Sequence, residues 1–145
     1  MNEPSNKQST FFRFEDLRIY HKALEYSIWV NNTARDFAPE CDGDLTKGFC
    51  NSARQISLQI AEGSAREKSF FISHLREAKS AIRSCVVYST FANKLGYLSD
   101  FDDEESRNQL MEMTKMLGAL ITSLQKNLSG NQEQYEEEYY PAKNW

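Results

Sequence analysis

Between residues 45 and 63 the apolar positions Leu45, Phe49, Ala53, Ile56 and Ile60 follow one another at steps of three or four, and the run stops at Gly63. Such steps place all of them on one face of an α-helix. A helix apolar on one face has to bury that face against other elements, so this segment points to a helical core. Two more stretches repeat the pattern. Phe71, Leu75, Ala78, Ile82, Cys85, Ser89 and Ala92 alternate steps of four and three, the heptad rhythm of helices that cross at about 20°. Leu110, Met113, Leu117, Leu120 or Ile121, Leu124 and Leu128 form the third.

The punctuation between these runs sets helix ends. The first helix is expected from about Phe14 to Phe37, with Leu17, Tyr20, Leu24, Ile28, Asn31 and Ala34 facing inward and Tyr26 and Trp29 off the stripe. A second apolar strip of that kind is a candidate oligomer interface. Pro39 forces the preceding residue out of the α region. Asp42 or Asp44 is suited to cap the second helix, and Gly63 to end it in a left-handed conformation. Ser69 is the expected cap of the third helix, which runs to Leu95, with Gly96 at its C-cap. Ser99 or Asp100 opens the fourth helix, Asp102, Asp103, Glu104 and Glu105 suit its positive end, and Ser129-Gly130-Asn131 is expected to stop it at Leu128. The expectation is an all-α, antiparallel up-down-up-down four-helix bundle over residues 13–128, a disordered segment over 1–12, and an acidic aromatic tail over 129–145.

Composition supports a single helical domain. The chain has 145 residues with three Pro and six Gly, where a sheet protein would need turn residues every ~10 positions. Cys41, Cys50 and Cys85 are odd in number and form no C-x-x-C pair, which argues for a reducing cytoplasm over a disulfide framework. The first residues lack a basic start followed by an apolar run, and no uncharged apolar window reaches the ~20 residues of a membrane span. A soluble, cytoplasmic protein with no membrane contact is expected.

The net charge of −4 is unevenly spread. Residues 1–44 hold five Lys/Arg against eight Asp/Glu, residues 45–95 eight against three, and residues 96–145 four against ten. Arg54, Arg66, Lys68, Arg76, Lys79 and Arg83 supply most of the basic middle, and Arg76, Lys79 and Arg83 share a helix face. These six are candidate contacts to RNA or DNA phosphates; the alternative is a solvated helix face. Glu62 and Arg66, four apart, are placed for a helical ion pair.

Enzymatic constellations are missing from the sequence. A carboxylate-bridged di-iron bundle needs Glu-x-x-His on two helices. This chain has only His21 and His74, the latter in the reverse order His74-Leu75-Arg76-Glu77. No nucleophile stands at a meaningful spacing from a histidine, and Gly63-Ser64-Ala65-Arg66 lacks the lysine of a phosphate-binding loop. No catalytic residue, metal or cofactor is expected, and Cys85 reads as a small buried hydrophobe.

Several motifs together resemble a known family. Phe14-Glu15-Asp16-Leu17 with Ala23 resembles the opening of the 23S rRNA intervening-sequence proteins, bacterial four-helix bundles. Ile56, Gln59, Ile60, Ala61, Glu62 and Gly63, followed by Arg66, resemble the family's central signature, with Gln59 in place of Asn. Glu77-Ala78 and Leu95-Gly96-Tyr97-Leu98 are similar to its third helix and the turn after it. The resemblance spans about residues 12–125 and implies a homopentamer with no enzyme activity. Some members are encoded within inserts in large-subunit ribosomal RNA genes. A related group of retroelement accessory proteins binds nucleic acid and a reverse transcriptase. The arginines usual before the signature are replaced by Cys50 and Asn51, and only Arg54 remains nearby, which removes charge that phosphate binding would use. The resulting expectation is a non-enzymatic, homopentameric interaction or assembly protein. The alternative is a nucleic-acid-binding accessory protein using helices 2 and 3.

Overall fold

A computed structural model describes residues 11–139 of the chain, with side chains to Leu128. A 3-10 turn, Arg13–Asp16, leads into four helices: α1 (Arg18–Arg35), α2 (Gly43–Ser64), α3 (Lys68–Lys94) and α4 (Asp100–Tyr139). The described residues contain no strand. Consecutive helices pack side by side, and α4 returns to touch α1, closing a four-helix bundle. Contacts in two of the neighbouring pairs, α2 with α3 and α1 with α4, run in opposite senses. Gly48 of α2 meets Tyr88 of α3 while Gly63 meets His74, and Tyr26 of α1 meets Ser106 of α4 while Arg18 reaches Met116.

The core follows from the helical stripes. Phe49, Ala53, Ile56 and Ile60 of α2 are fully buried against Ile72, Leu75, Ala78 and Cys85 of α3 and Leu110, Met113, Leu117 and Ile121 of α4. On α4 it is Ile121, not Leu120, that is buried, while Leu120 packs at the edge. Leu45, Ala92 and Leu98 form a second cluster, against which Phe37 and Tyr97 pack.

On α1 the phase differs from the sequence reading. Ile19, Ala23, Tyr26, Val30 and Ala34 are its buried residues, and Leu24 and Ile28 are exposed. Both sets obey helical spacing, so periodicity alone could not choose between them; the bulkier pair drew the assignment outward by one residue. The helix also starts later than Phe14. Leu17 is extended (φ −87°, ψ 125°), and this break separates the Arg13–Asp16 turn from α1.

The ends are set by identifiable caps. The Asp42 carboxylate accepts from the Asp44 amide, and the Ser99 hydroxyl from the Asp102 amide, each at 3.0 Å. Gly96, at φ +87°, closes α3. The Tyr97 amide donates to the Ala92 carbonyl and the Gly96 amide to that of Asn93, the paired bonds of a Schellman end. Three other ends depart from expectation. α3 begins at Lys68 behind Glu67, so Ser69 lies inside the helix rather than capping it. Gly63 is helical and buried. α4 runs through Ser129-Gly130-Asn131 to Tyr139; one glycine costs a helix only about 1 kcal/mol, and the Glu- and Gln-rich residues that follow are good helix formers. Residues 1–10 of the segment expected to be disordered, and residues 140–145 of the tail, lie outside the described residues.

Candidate functional site

One surface groove follows from the phase of α1. With Leu24 and Ile28 turned away from the core, they meet Leu58 and Ala61 of α2 across a groove of about 500 Å³. Phe14 and Tyr20 extend its apolar wall, their rings edge to face with centroids 4.9 Å apart. Ser27, Asn31, Ser57 and Arg54 supply the polar part of the lining. Ile28 and Leu58 are each more than half exposed, an arrangement that favours an apolar occupant.

Tyr26 and Trp29, the residues expected at an oligomer interface, lie elsewhere. Tyr26 is 0% exposed. Its hydroxyl is 2.7 Å from the Ser106 hydroxyl of α4, also fully buried. Burial raises the Tyr26 pKa above its ordinary value, and burial likewise pushes the Cys85 thiol up to about 12, with the Tyr26 hydroxyl acting the other way. Cys85 is therefore a neutral thiol at neutral pH, without the thiolate a nucleophile requires. Trp29 is half-buried and stacks on Tyr26, with ring centroids 5.9 Å apart. The Tyr26 side chain thus ties α1 to α4 and, being buried, is not available to a partner. A second polar tie joins α3 to α4: the Ser89 hydroxyl donates to Asp103 at 2.6 Å, and Asp103 accepts from Arg107 at 3.2 Å.

The six basic candidates do not form one strip. Lys79 is 4% exposed, and its ammonium lies near Gly118 of α4. Burial lowers the Lys79 pKa, and the neighbouring Arg83 and Arg76 lower it further. Arg76 is half-buried on the same side of α3. Arg54 lies at the α1–α2 groove and donates to Asn51. Arg83, exposed, donates to Ser80 at 3.2 Å. Arg66 and Lys68 stand exposed at the turn between α2 and α3. Helical spacing grouped Arg76, Lys79 and Arg83 correctly, but that face turns partly toward α4.

Around the turn, a compact cluster surrounds Gln59. The His74 Nδ1–H donates to Gln59 Oε1 at 2.8 Å, and Gln59 Nε2 donates to Gln55 Oε1 at 3.3 Å. The Arg66 guanidinium faces His74 Nε2 at 3.4 Å and lies 4.8 Å above the Phe70 ring. Among the described residues no Glu62–Arg66 ion pair forms. Arg66 falls beyond Ser64, the last residue of α2, so the i,i+4 geometry is lost. The cluster borders a pocket of about 310 Å³ that Ser73 and Glu77 also line.

The family signature thus has a physical account. Ile56 and Ile60 fill the core, Ala61 lines the groove, Glu62 is exposed, and Gln59 ties α2 to α3. Gly63 permits close packing: a Cβ there would lie 2.6 Å from the His74 Cβ and 2.9 Å from a Phe71 ring carbon. The family model described as 23S rRNA-intervening sequence protein matches residues 15–119. The chain belongs to the 23S rRNA-intervening sequence protein family. No curated protein matches it. The match runs from the turn before α1 well into α4, so it takes in the groove, the signature and the Gly96 turn.

In this family member, sequence reasoning missed two surfaces. Leu24 and Ile28, expected in the core, are exposed. Val87 and Phe91 of α3 and Leu95 at its C-cap lie four apart and are each more than half exposed, a spacing visible in the sequence. Among the described residues no group of three metal-binding side chains lies together, and no helix is long and apolar enough to cross a membrane.

Proposed function

We propose that this 23S rRNA-intervening sequence protein is a non-enzymatic, homo-oligomeric assembly module, with the homopentamer that its family resemblance implies as its working form. The observation that carries this reading is the open apolar groove between α1 and α2, lined by Leu24, Ile28 and Leu58. Apolar surface of this kind lowers its free energy by leaving water, at roughly 25 cal/mol per Å². A second copy is available to cover it whenever the chain is made. Size-exclusion chromatography with light scattering tests the reading. The expected mass is five times the 16.8 kDa of the chain. A stable monomer at micromolar concentration overturns it.

A second reading, binding of RNA or DNA, draws on Arg66 and Lys68 beside the exposed Phe70, since cationic and aromatic groups together suit phosphate and base. It has fewer residues to use than the sequence offered, because Lys79 is buried and Arg54 lies at the groove. Gel shifts across a salt series test it. Affinity falling steeply with salt supports this reading, and no binding at low salt rejects it.

A further inference from the structure

We propose that the α1–α2 groove is a small-molecule site for a straight-chain monocarboxylic acid, its carboxylate held by Arg54 and its aliphatic chain laid along Leu24, Ile28 and Leu58. Such a site goes beyond the assembly reading, which asks the groove only for its apolar wall. The volume of about 500 Å³ falls within the roughly 300–1,000 Å³ of small-molecule sites, where apolar walls give affinity and a few polar groups fix orientation.

The groove has a polar end and an apolar end. Phe37, just beyond α1, packs against the cluster that holds Leu45 at the start of α2. After this short loop α2 turns back along α1, so late residues of α1 lie level with early ones of α2. Ser27 and Asn31 of α1 and Arg54 of α2 therefore gather toward the loop. Tyr20 and Leu24 of α1 and Leu58 and Ala61 of α2 gather toward the other end, where Phe14 adds its ring. On α1 the lining runs from Tyr20 to Asn31, about 16 Å of helix. A long, narrow molecule lying there meets opposite chemistry at its two ends.

Charge selects the head group. Among the described residues, Arg54 is the only charged side chain that lines the groove, and no carboxylate pairs with it. It donates to Asn51, one turn earlier on α2, which aims its guanidinium toward the loop end and leaves other N–H groups to give. A guanidinium carries five donors in a planar fork that matches a carboxylate. The Asn31 amide and the Ser27 hydroxyl are further donors at the same end. The Ser57 hydroxyl is already committed to the Arg54 carbonyl at 3.2 Å. One cation suits one negative charge: a polyanion needs several, and a cation would be repelled. A sugar or nucleotide would lay polar groups, unpaired, against Leu24, Ile28 and Leu58.

Isothermal titration with sodium hexanoate, octanoate and decanoate, each below its micelle concentration, tests the site. Octanoate is expected to bind, and each added methylene to tighten binding by up to about fourfold. Arg54→Gln should weaken octanoate by about tenfold or more, through the loss of a charged hydrogen bond, while octanol, which lacks the carboxylate, should bind both chains alike. Lys94→Gln removes an exposed cation of α3 outside the groove and should bind octanoate as the wild type does. Leu58→Ser should weaken decanoate more than hexanoate. Arg54, Leu58 and Lys94 are all exposed, and circular dichroism checks that each variant folds. No binding of octanoate at millimolar concentration overturns the site, as do equal losses from Arg54→Gln and Lys94→Gln, or affinity indifferent to chain length. Light scattering of the same samples keeps the two readings apart. A monomer that binds octanoate overturns assembly alone, and an oligomer that takes up none overturns this site alone.

Discussion

Gly63 shows how one missing side chain sets the approach of two helices. Its neighbour across the interface is the His74 Cβ, held by the α3 backbone and unable to swing aside. Gly63→Ala is therefore expected to push α2 from α3 and to cost about 1–3 kcal/mol, seen as a lower urea midpoint with an unchanged slope. At Gly48 the atoms in the way belong to the Tyr88 ring, which is also stacked on Phe49. Cys85 offers a pH test. Its thiol ionises at about 12 in the folded chain against 9.0 for the free group. Between those values the unfolded chain has lost a proton that the folded chain keeps. Stability from this group is therefore whole below pH 9 and declines as pH rises, by about 1.4 kcal/mol per pH unit. Cys85→Ala, less stable than wild type at pH 7 through lost packing, should see that gap narrow from pH 9 upward in urea titrations. A gap constant to pH 10.5 would contradict the assignment.

The four helices differ in how plainly their sequences declare them. On α2 every apolar residue of the stripe is buried, so spacing and core coincide. On α1 they part, because Leu24 and Ile28 are as apolar as Ile19 and Val30 and lie at equally helical intervals. Hydrophobic spacing reports that a face avoids water, not whether the core or another surface covers it. Small residues carry the same ambiguity: Ala23 is fully buried although its side chain weighs little in a pattern. Among the basic candidates Lys79 departs from expectation for a related reason, since a long lysine can lie along a helix interface. Polar ties between distant positions, Tyr26 with Ser106 and Ser89 with Asp103, leave no periodic trace at all. The Gly96 end was legible because a left-handed residue has few chemical solutions. A Cβ at Gly96 meets no atom within 4 Å, so Gly96→Ala should cost only the backbone strain of φ +87°, about 1–2 kcal/mol, measured by thermal or urea unfolding.

At the scale of the molecule, the groove follows from how the bundle folds. A single helix phase decides core and groove together, since the choice of Tyr26 for the core is also the choice of Leu24 and Ile28 for the surface. The signature that marks the family is mostly structural by this account: Ile56 and Ile60 fill the core, and Gln59 and Gly63 join α2 to α3. The four interfaces around the bundle are also unequal. α2 and α3 share the broadest one, while α1 and α4 share the slightest, held by Tyr26 with Ser106 and by exposed pairs such as Lys22 with Glu112. The bundle therefore resembles a closed strap fastened at its weakest point. When it breathes, the clasp between first and last helix should part before the central hairpin does. Deuterium would then enter the amides of α1 and α4 while those of α2 and α3 stay protected, a graded pattern that native-state exchange can read helix by helix.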